Sequence, residues 1–211
     1  MVGQLHPGLI ADSLPDGWGM LLMDRFFKKY QQRQPYDVNI LERLAYIGQS
    51  AIGALSFEPE ADIAQQQAEM DLLALARESL VAIEDEDTEA LKNLLIIGGS
   101  PQGARPKALI KFDSTNNRVS TLPTAAGDDW LVKFPARGEN QSVCAAEHVY
   151  AQLAKQCGLN MPDTQFFDLG SGYGAFGVKR FDRDNGMRIH VHTLAGLLNT
   201  NFRLPTLSYT Q

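Results

Sequence analysis

A glycine-rich loop between two apolar runs is the feature that most constrains this chain. Residues 95–113 read LIIGGSPQGARPKALIKFD, so three glycines, two prolines, a serine, an arginine and a lysine interrupt the apolar residues. Short apolar runs bounded by turn residues are typical of buried strands, and we expect a strand on each side of the loop. Such a turn can present backbone N–H groups to an anion, most often a phosphate. Taken alone, the pattern favours a flexible hairpin loop, because short glycine motifs match often by chance.

Composition narrows the class of protein. The chain has 211 residues, 44% of them apolar and 21% charged, which allows one large domain or two small ones around a sizeable core. Its net charge of -6 argues against a general nucleic-acid binder, which normally carries a basic face. Cys144 and Cys157 show neither zinc-ligand spacing nor a disulfide framework, which favours a reducing compartment. With no signal-peptide pattern and no apolar run of about 20 residues, we expect a cytoplasmic protein without membrane contact.

Periodicity predicts an α+β chain with three parts. Residues 1–90 form a mainly helical region, 91–187 an antiparallel-sheet region with one helix, and 188–211 the start of a further, incomplete helical part. The acidic run at 84–90 is the best boundary. The predicted elements are, in order, helices within 9–30 and 36–48 (closed by Gly48), a strand at 50–59, a helix at 61–80, a strand before the glycine loop, strands at 107–112 and 130–136, a helix at 139–160, and strands at 164–170 and 174–182. The polar connector 116–129 is too irregular for an element, and one more helix begins after residue 190.

Two charged residues downstream of the loop could act with it on a phosphate. Lys133 lies in a predicted strand and Glu147 in the following helix, and the hairpin then ends in the short connection VKRFDR. Phosphoryl transfer from ATP requires charge neutralisation at the phosphates, which a strand lysine fixed by a helix glutamate would supply. Each residue alone has a plainer interpretation, since Lys133 could face solvent from a strand and Glu147 could lie on a helix surface. The three features in this order favour a phosphate-binding arrangement of the protein-kinase N-lobe type.

Five segments carry a resemblance to a known family. They are SLPDGWG (13–19), GGSPQGARPKAL (98–109), WLVKFP (130–135), AAEHVYAQLAKQCGLNMPDT (145–164) and GVKRFDR (177–183). In this order and spacing the chain resembles the HipA family of toxin-type serine/threonine kinases, over most of its length from residue 8 onward. The resemblance implies a kinase-like N-lobe, an antiparallel sheet plus helix, preceded by a mainly helical N-terminal region, with the C-lobe largely missing.

The resemblance also implies roles for individual residues. Lys133 corresponds to the ATP-phosphate lysine and Glu147 to its pairing glutamate, and the backbone of Lys179, Arg180 and Phe181 corresponds to the adenine-binding hinge. Ser100 corresponds to an autophosphorylated serine, where roughly two added negative charges should disfavour ATP. The loop residues that would contact the nucleotide are Gly98, Gly99, Ser100, Gly103, Ala104, Arg105 and Lys107.

Cofactors and partners follow from the same resemblance. It implies ATP with Mg²⁺, a protein substrate such as an aminoacyl-tRNA synthetase, and a DNA-binding antitoxin as the partner, with no direct nucleic-acid contact. A kinase needs one aspartate for the substrate hydroxyl and another for magnesium, yet no H-x-D-x-x-x-x-N-like segment follows Phe181. We therefore assign no catalytic residue, expect the magnesium site in the missing C-lobe, and expect this chain to be inactive alone and incomplete at both ends relative to the family.

Two other functions stay open at this point. One is a non-catalytic module that binds an antitoxin or a sibling subunit, and the other is a small-molecule kinase on the same lobe. His190 and His192 could suggest a metal pair, but no third ligand accompanies them, so we assign no metal site. Asp182 and Asp184 lie at the hinge, where a solvated or structural role is the better interpretation.

Overall fold

A five-stranded antiparallel sheet organises the fold. The computed structural model describes residues 7–84, 90–99, 101–201 and 203–204. The strands are β1 (Lys107–Asp113), β2 (Arg118–Ser120), β3 (Asp128–Lys133), β4 (Thr164–Gly170) and β5 (Tyr173–Lys179), in the spatial order β2-β1-β3-β5-β4, and a short hairpin of β6 (Arg183–Asp184) and β7 (Met187–Arg188) follows.

Seven α-helices accompany these strands within the described ranges. They are α1 (Gly8–Ser13), α2 (Gly17–Gln31), α3 (Ile40–Ile47), α4 (Leu72–Glu84), α5 (Leu91–Gly98), α6 (Ser142–Gln156) and α7 (Leu194–Leu197), with 3₁₀ turns at Pro35–Asp37 and Gly48–Ser50. Helices plus an antiparallel sheet confirm the predicted α+β class. None of the described helices combines the length and apolarity needed to cross a bilayer.

Helix boundaries follow local sequence chemistry. Asn39 caps α3 by accepting a hydrogen bond from the Glu42 N–H, while the Glu42 carboxylate accepts from the Asn39 N–H. The same helix ends at Gly48 with φ +53°, as predicted. Gly158, at φ +84°, follows α6 as predicted.

One apolar core joins the helices to one face of the sheet. Alternate residues of β1 and β3, such as Ile110 and Val132, are buried with Phe27 of α2 and Leu94 of α5. Trp18, Phe26 and Phe27 belong to this core, as predicted. The two predicted regions thus share a core, while the boundary near residue 90 stays a prediction because 85–89 lie outside the described residues.

Four predicted elements are wrong. Residues 94–98 belong to helix α5 rather than a strand, because Leu91, Leu94 and Leu95 recur at helical spacing and are buried against α2 and β1. The connector contains β2, which pairs antiparallel with the end of β1. The helix predicted at 61–80 begins only at Leu72.

The fourth wrong element is the strand predicted at 50–59. Its carbonyl groups accept hydrogen bonds from side chains instead of a neighbouring strand. Arg183 donates to the carbonyls of Ala51 and Gly53, and Arg188 donates to these two and to that of Leu55. The segment is therefore a loop fixed by two guanidinium groups that come from far along the chain.

Candidate functional site

Cross-strand register arranges the face of the sheet opposite the core residues Ile110 and Val132 in three rows. Directly opposite residues of antiparallel strands point to the same face. The first row consists of three directly opposite residues, Lys107, Lys133 and Phe176. The second row consists of Leu109, Leu131 and Val178. The third row begins with Lys111 opposite Asp129, and the Arg180 N–H donates to the Asp129 carbonyl at 2.8 Å. The first row is therefore mainly cationic and the second row is apolar. The third row lies where β5 ends and the connection to β6 begins.

The lysine and glutamate predicted to pair do form an ion pair. Lys133 Nζ of β3 contacts Glu147 Oε1 of α6, and both side chains are partly exposed. Helix α6 is fixed at this end of the sheet by the buried Cys144, whose thiol lies 3.7 Å from the Lys133 carbonyl oxygen. Because the pair joins strand to helix, the lysine ammonium has a defined position at the first row.

The glycine loop brings two further cations to this pair. Arg105 Nη2 lies 2.7 Å from Glu139 Oε1, and its Nη1 lies 3.6 Å from Glu147 Oε2. Lys107 is only 4% exposed and donates to the Gln102 carbonyl at 2.6 Å. Burial lowers the pKa of Lys107 to about 8; the Asp16 carboxylate opposes this and the Lys133 charge adds to it. Three cationic side chains therefore surround one small region.

The loop itself is held from the N-terminal region. The Gly103 N–H donates to the Asp16 carboxylate, and the Trp18 N–H donates to the Gly103 carbonyl at 3.0 Å. Gly103 has φ +101°, a conformation that side chains other than glycine rarely adopt. Gly98 lies so near β1 that a Cβ there would be 2.2 Å from the Lys107 carbonyl oxygen. Segment 13–19 therefore acts as the support of the loop.

The predicted hinge residues are placed at the far end of the same face. The Lys179 N–H donates to the carbonyl of Asp163, just before β4, and the Lys179 ammonium donates to Asp128, the first residue of β3. Among the described residues the Phe181 N–H has no acceptor, and the Phe181 ring is 66% exposed. Of the three hinge residues, Phe181 is thus the one with a backbone donor available to a ligand.

Sequence reasoning missed the network that holds this hinge. Asp182 is 3% exposed and accepts from Arg180 (2.9 and 2.6 Å), from Arg183 (2.8 Å) and from the Gly53 N–H (2.8 Å). Burial alone would raise the pKa of Asp182, but the Arg180 hydrogen bond and charge, the Gly53 bond and the Arg183 charge together lower it. Asp182 is structural, which is one of the two roles predicted for it. The signal available in the sequence was the clustering of charges in KRFDR.

A cavity of about 460 Å³ opens at the hinge end of the face. Its walls combine residues of α5 and the loop 60–68 with the third-row residues Lys111, Asp129 and Arg180. Lys133 and Glu147 do not line it, so the cavity and the ion pair occupy different ends of the sheet.

Three predicted features remain outside these contacts. Ser100 lies outside the described residues. Ala104 is exposed and follows Gly103, close to Gly17. The rings of His190 and His192 are 6.0 Å apart, and the described residues contain no group of three or more His, Cys, Asp or Glu side chains that could hold a metal ion.

Comparison with protein families gives two matches. A family model described as the HipA-like C-terminal domain matches residues 99–211, which is more than half of the chain. A second, described as the HipA N-terminal domain, matches residues 3–58. A search of curated proteins finds no match.

A solved structure among those that match shares the fold. It is HipA of Shewanella oneidensis MR-1, from a complex of that toxin–antitoxin system's HipA and HipB with operator DNA. The TM-score is 0.52 at 21% sequence identity, and the match covers 88% of this chain and 42% of the other. The described chain therefore spans less than half the length of that HipA, and the likeness shows the fold.

Proposed function

The chain belongs to the HipA family, and from this premise we propose that it forms the ATP-binding lobe of a toxin-type serine/threonine protein kinase. The observation that carries the proposal is the Lys133–Glu147 pair, which lies beside the glycine loop at one end of a three-row sheet face. The apolar middle row suits a flat base, and the hinge row suits its polar edge.

The chemistry of these residues fits a nucleoside triphosphate. Lys133, Lys107 and Arg105 would neutralise the phosphates. Loop N–H groups other than those of Gly99 and Gly103, which donate to the Leu95 carbonyl and the Asp16 carboxylate, would donate to the phosphates as well. Leu109, Leu131 and Val178 would contact the base. When bound, ATP supplies the transferable phosphoryl group; these residues bind and orient it.

Unlike the nucleotide, a magnesium ion has no matching set of ligands among the described residues. No group of three or more candidate ligands occurs among them. We place the magnesium ligands and the aspartate for the substrate hydroxyl in a C-lobe, and we assign no catalytic residue to this chain. Transfer by this chain alone is not expected.

Membership of the HipA family also suggests a mode of regulation, a substrate and a partner for this chain. We propose Ser100 as an autophosphorylation site, because it belongs to the same loop sequence as Arg105 and Lys107, and roughly two added negative charges in that loop would compete with the phosphates of ATP. We propose a DNA-binding antitoxin as partner, since the solved neighbour is a HipA–HipB–operator complex. A protein substrate of aminoacyl-tRNA synthetase type and a cytoplasmic location complete the proposal.

A second candidate function is a non-catalytic interaction module. Large apolar side chains are exposed at the end of the hinge and after it, at Phe181, Met187, Leu194 and Leu197. An exposed apolar patch of this kind often marks an interaction surface. Recovery of a stoichiometric partner by a chain that binds no nucleotide would favour this function over the first.

The kinase proposal is tested by phosphotransfer from ATP in the full-length protein. We expect Lys133→Ala to abolish phosphorylation of a protein substrate while the thermal midpoint stays nearly unchanged. Lys155→Ala is the matched control, because Lys155 lies on α6 and pairs with Asp163 instead. Retained activity in Lys133→Ala would contradict the assigned role, and phosphorylation of a metabolite but of no protein would redirect the proposal to a small-molecule kinase.

A further inference from the structure

The short helix α1 lies between the glycine loop and the segment that follows the hinge. Gly8 and Gly196 of α7 approach so closely that a Cβ at Gly8 would be 1.7 Å from the Gly196 carbonyl oxygen. On its other side, α1 leads directly into Asp16 and Trp18, which hold Gly103. One element thus touches two parts of the chain that are about ninety residues apart.

Asp12 contacts both parts at once. Its backbone carbonyl accepts a hydrogen bond from Gln102 Nε2 of the loop at 2.9 Å. Its carboxylate accepts from the Thr193 N–H at 2.7 Å and from the Thr193 hydroxyl at 2.8 Å. His192 Nε2 lies 3.6 Å from the same carboxylate.

Thr193 in turn controls the start of α7. Its hydroxyl donates to Asp12 and accepts from the Gly196 N–H at 2.9 Å, as an N-cap residue does. If residues 192–196 move, the hydrogen bonds between Thr193 and the Asp12 carboxylate must break. Because the Asp12 carbonyl also accepts a hydrogen bond from Gln102, the same movement would reach the loop.

We propose that Asp12 is a positioning residue that couples the glycine loop to the segment after the hinge, so that the state of this segment sets the order of the loop. The nucleotide part of this inference rests on the proposed function, whereas the coupling between the two segments does not. A partner that binds 190–198 would then act on the loop through Asp12 without contacting it.

The test measures amide hydrogen exchange of the chain without nucleotide, in Thr193→Val and Asp12→Ala. Thr193→Val removes the hydroxyl and keeps the branched shape. We expect the Gly103 amide, whose N–H donates to the Asp16 carboxylate, to exchange about tenfold faster, which corresponds to about 1.4 kcal/mol.

Three variants define the comparison. Thr193→Ser keeps the hydroxyl and should restore slow exchange in the loop, and Asp12→Asn keeps one acceptor and should give an intermediate rate. Asp168→Ala removes a carboxylate that accepts the Gly170 N–H in the β4–β5 turn, and it should leave the loop unchanged.

Two results would overturn the coupling. One is faster exchange at 193–198 with an unchanged loop, and the other is an equal rise throughout the chain, core of β5 included, which would mean a loss of global stability. Failure of the wild-type chain to bind ATP would count against the proposed function and leave this exchange test intact. If the wild-type chain binds ATP, Thr193→Val should lower its affinity for ATP several-fold, and Thr193→Ser should leave that affinity unchanged.

Discussion

Replacing Asp182 should destabilise the protein more than any other single change at the hinge. The carboxylate accepts four hydrogen bonds, two from Arg180, one from Arg183 and one from the Gly53 N–H, at 2.6 to 2.9 Å. The side chains of Arg180 and Arg183 are themselves only 9% and 13% exposed. In Asp182→Ala, two buried guanidinium groups would lose the anion between them.

The magnitude follows from this burial. Removing one partner of a buried ion pair typically costs about 3–5 kcal/mol, because the remaining charge is left uncompensated. For a chain of about 200 residues each kcal/mol lowers the melting temperature by about 2–4 °C, so we expect a loss of about 6–20 °C.

Thermal and urea unfolding, followed by circular dichroism, measure this loss. Asp184→Ala is the matched control, because Asp184 is an exposed carboxylate two residues away that accepts from Asn185. We expect that variant to stay within about 0.5 kcal/mol of wild type. Equal effects of the two substitutions, or a loss below about 1 kcal/mol in Asp182→Ala, would refute the reasoning.

Three further outcomes are expected. Because the pKa of Asp182 is lowered in the folded state, its stabilisation is present above about pH 3.8 and is lost as the pH falls through the folded value; acid titration should show a smaller loss in Asp182→Ala. Burial lowers the pKa of Lys107 from 10.5 to about 8, so the unfolded state binds more protons between these values and stability should rise with pH there. Urea midpoints of wild type and Lys107→Met check this, and a parallel rise in both would contradict it. Cys157 is exposed and Cys144 is buried with a raised thiol pKa, so a thiol reagent should label one cysteine rapidly and the other only on unfolding; rapid labelling of both would contradict the described packing.

Sequence reasoning succeeded where one local pattern determines the structure. The helix α6, the β4–β5 hairpin and the Gly48 cap have strong periodicity or turn chemistry, and all three were predicted. The run at 94–98 was misassigned, since a short apolar segment fits a strand or a buried helix equally until its neighbours are known.

The site shows the same division. Lys133 and Glu147 could be predicted because a strand and the next helix bring them together along the chain. The role of Asp12 could not, because the partner of its carboxylate, Thr193, lies far away in sequence. For Asp182 the neighbouring arginines are visible in KRFDR, but the bond from the distant Gly53 N–H is not. Such contacts depend on tertiary packing, which no local spacing encodes.

The central claim is that the glycine loop, Lys133 and the hinge form a nucleotide site. Calorimetric titration of the purified, folded chain with Mg-ATP, beside Lys133→Ala and Lys155→Ala, tests it most directly. The account predicts saturable binding that is lost in Lys133→Ala and kept in Lys155→Ala. Binding that survives in Lys133→Ala, or no binding by a chain shown to be folded, would contradict it.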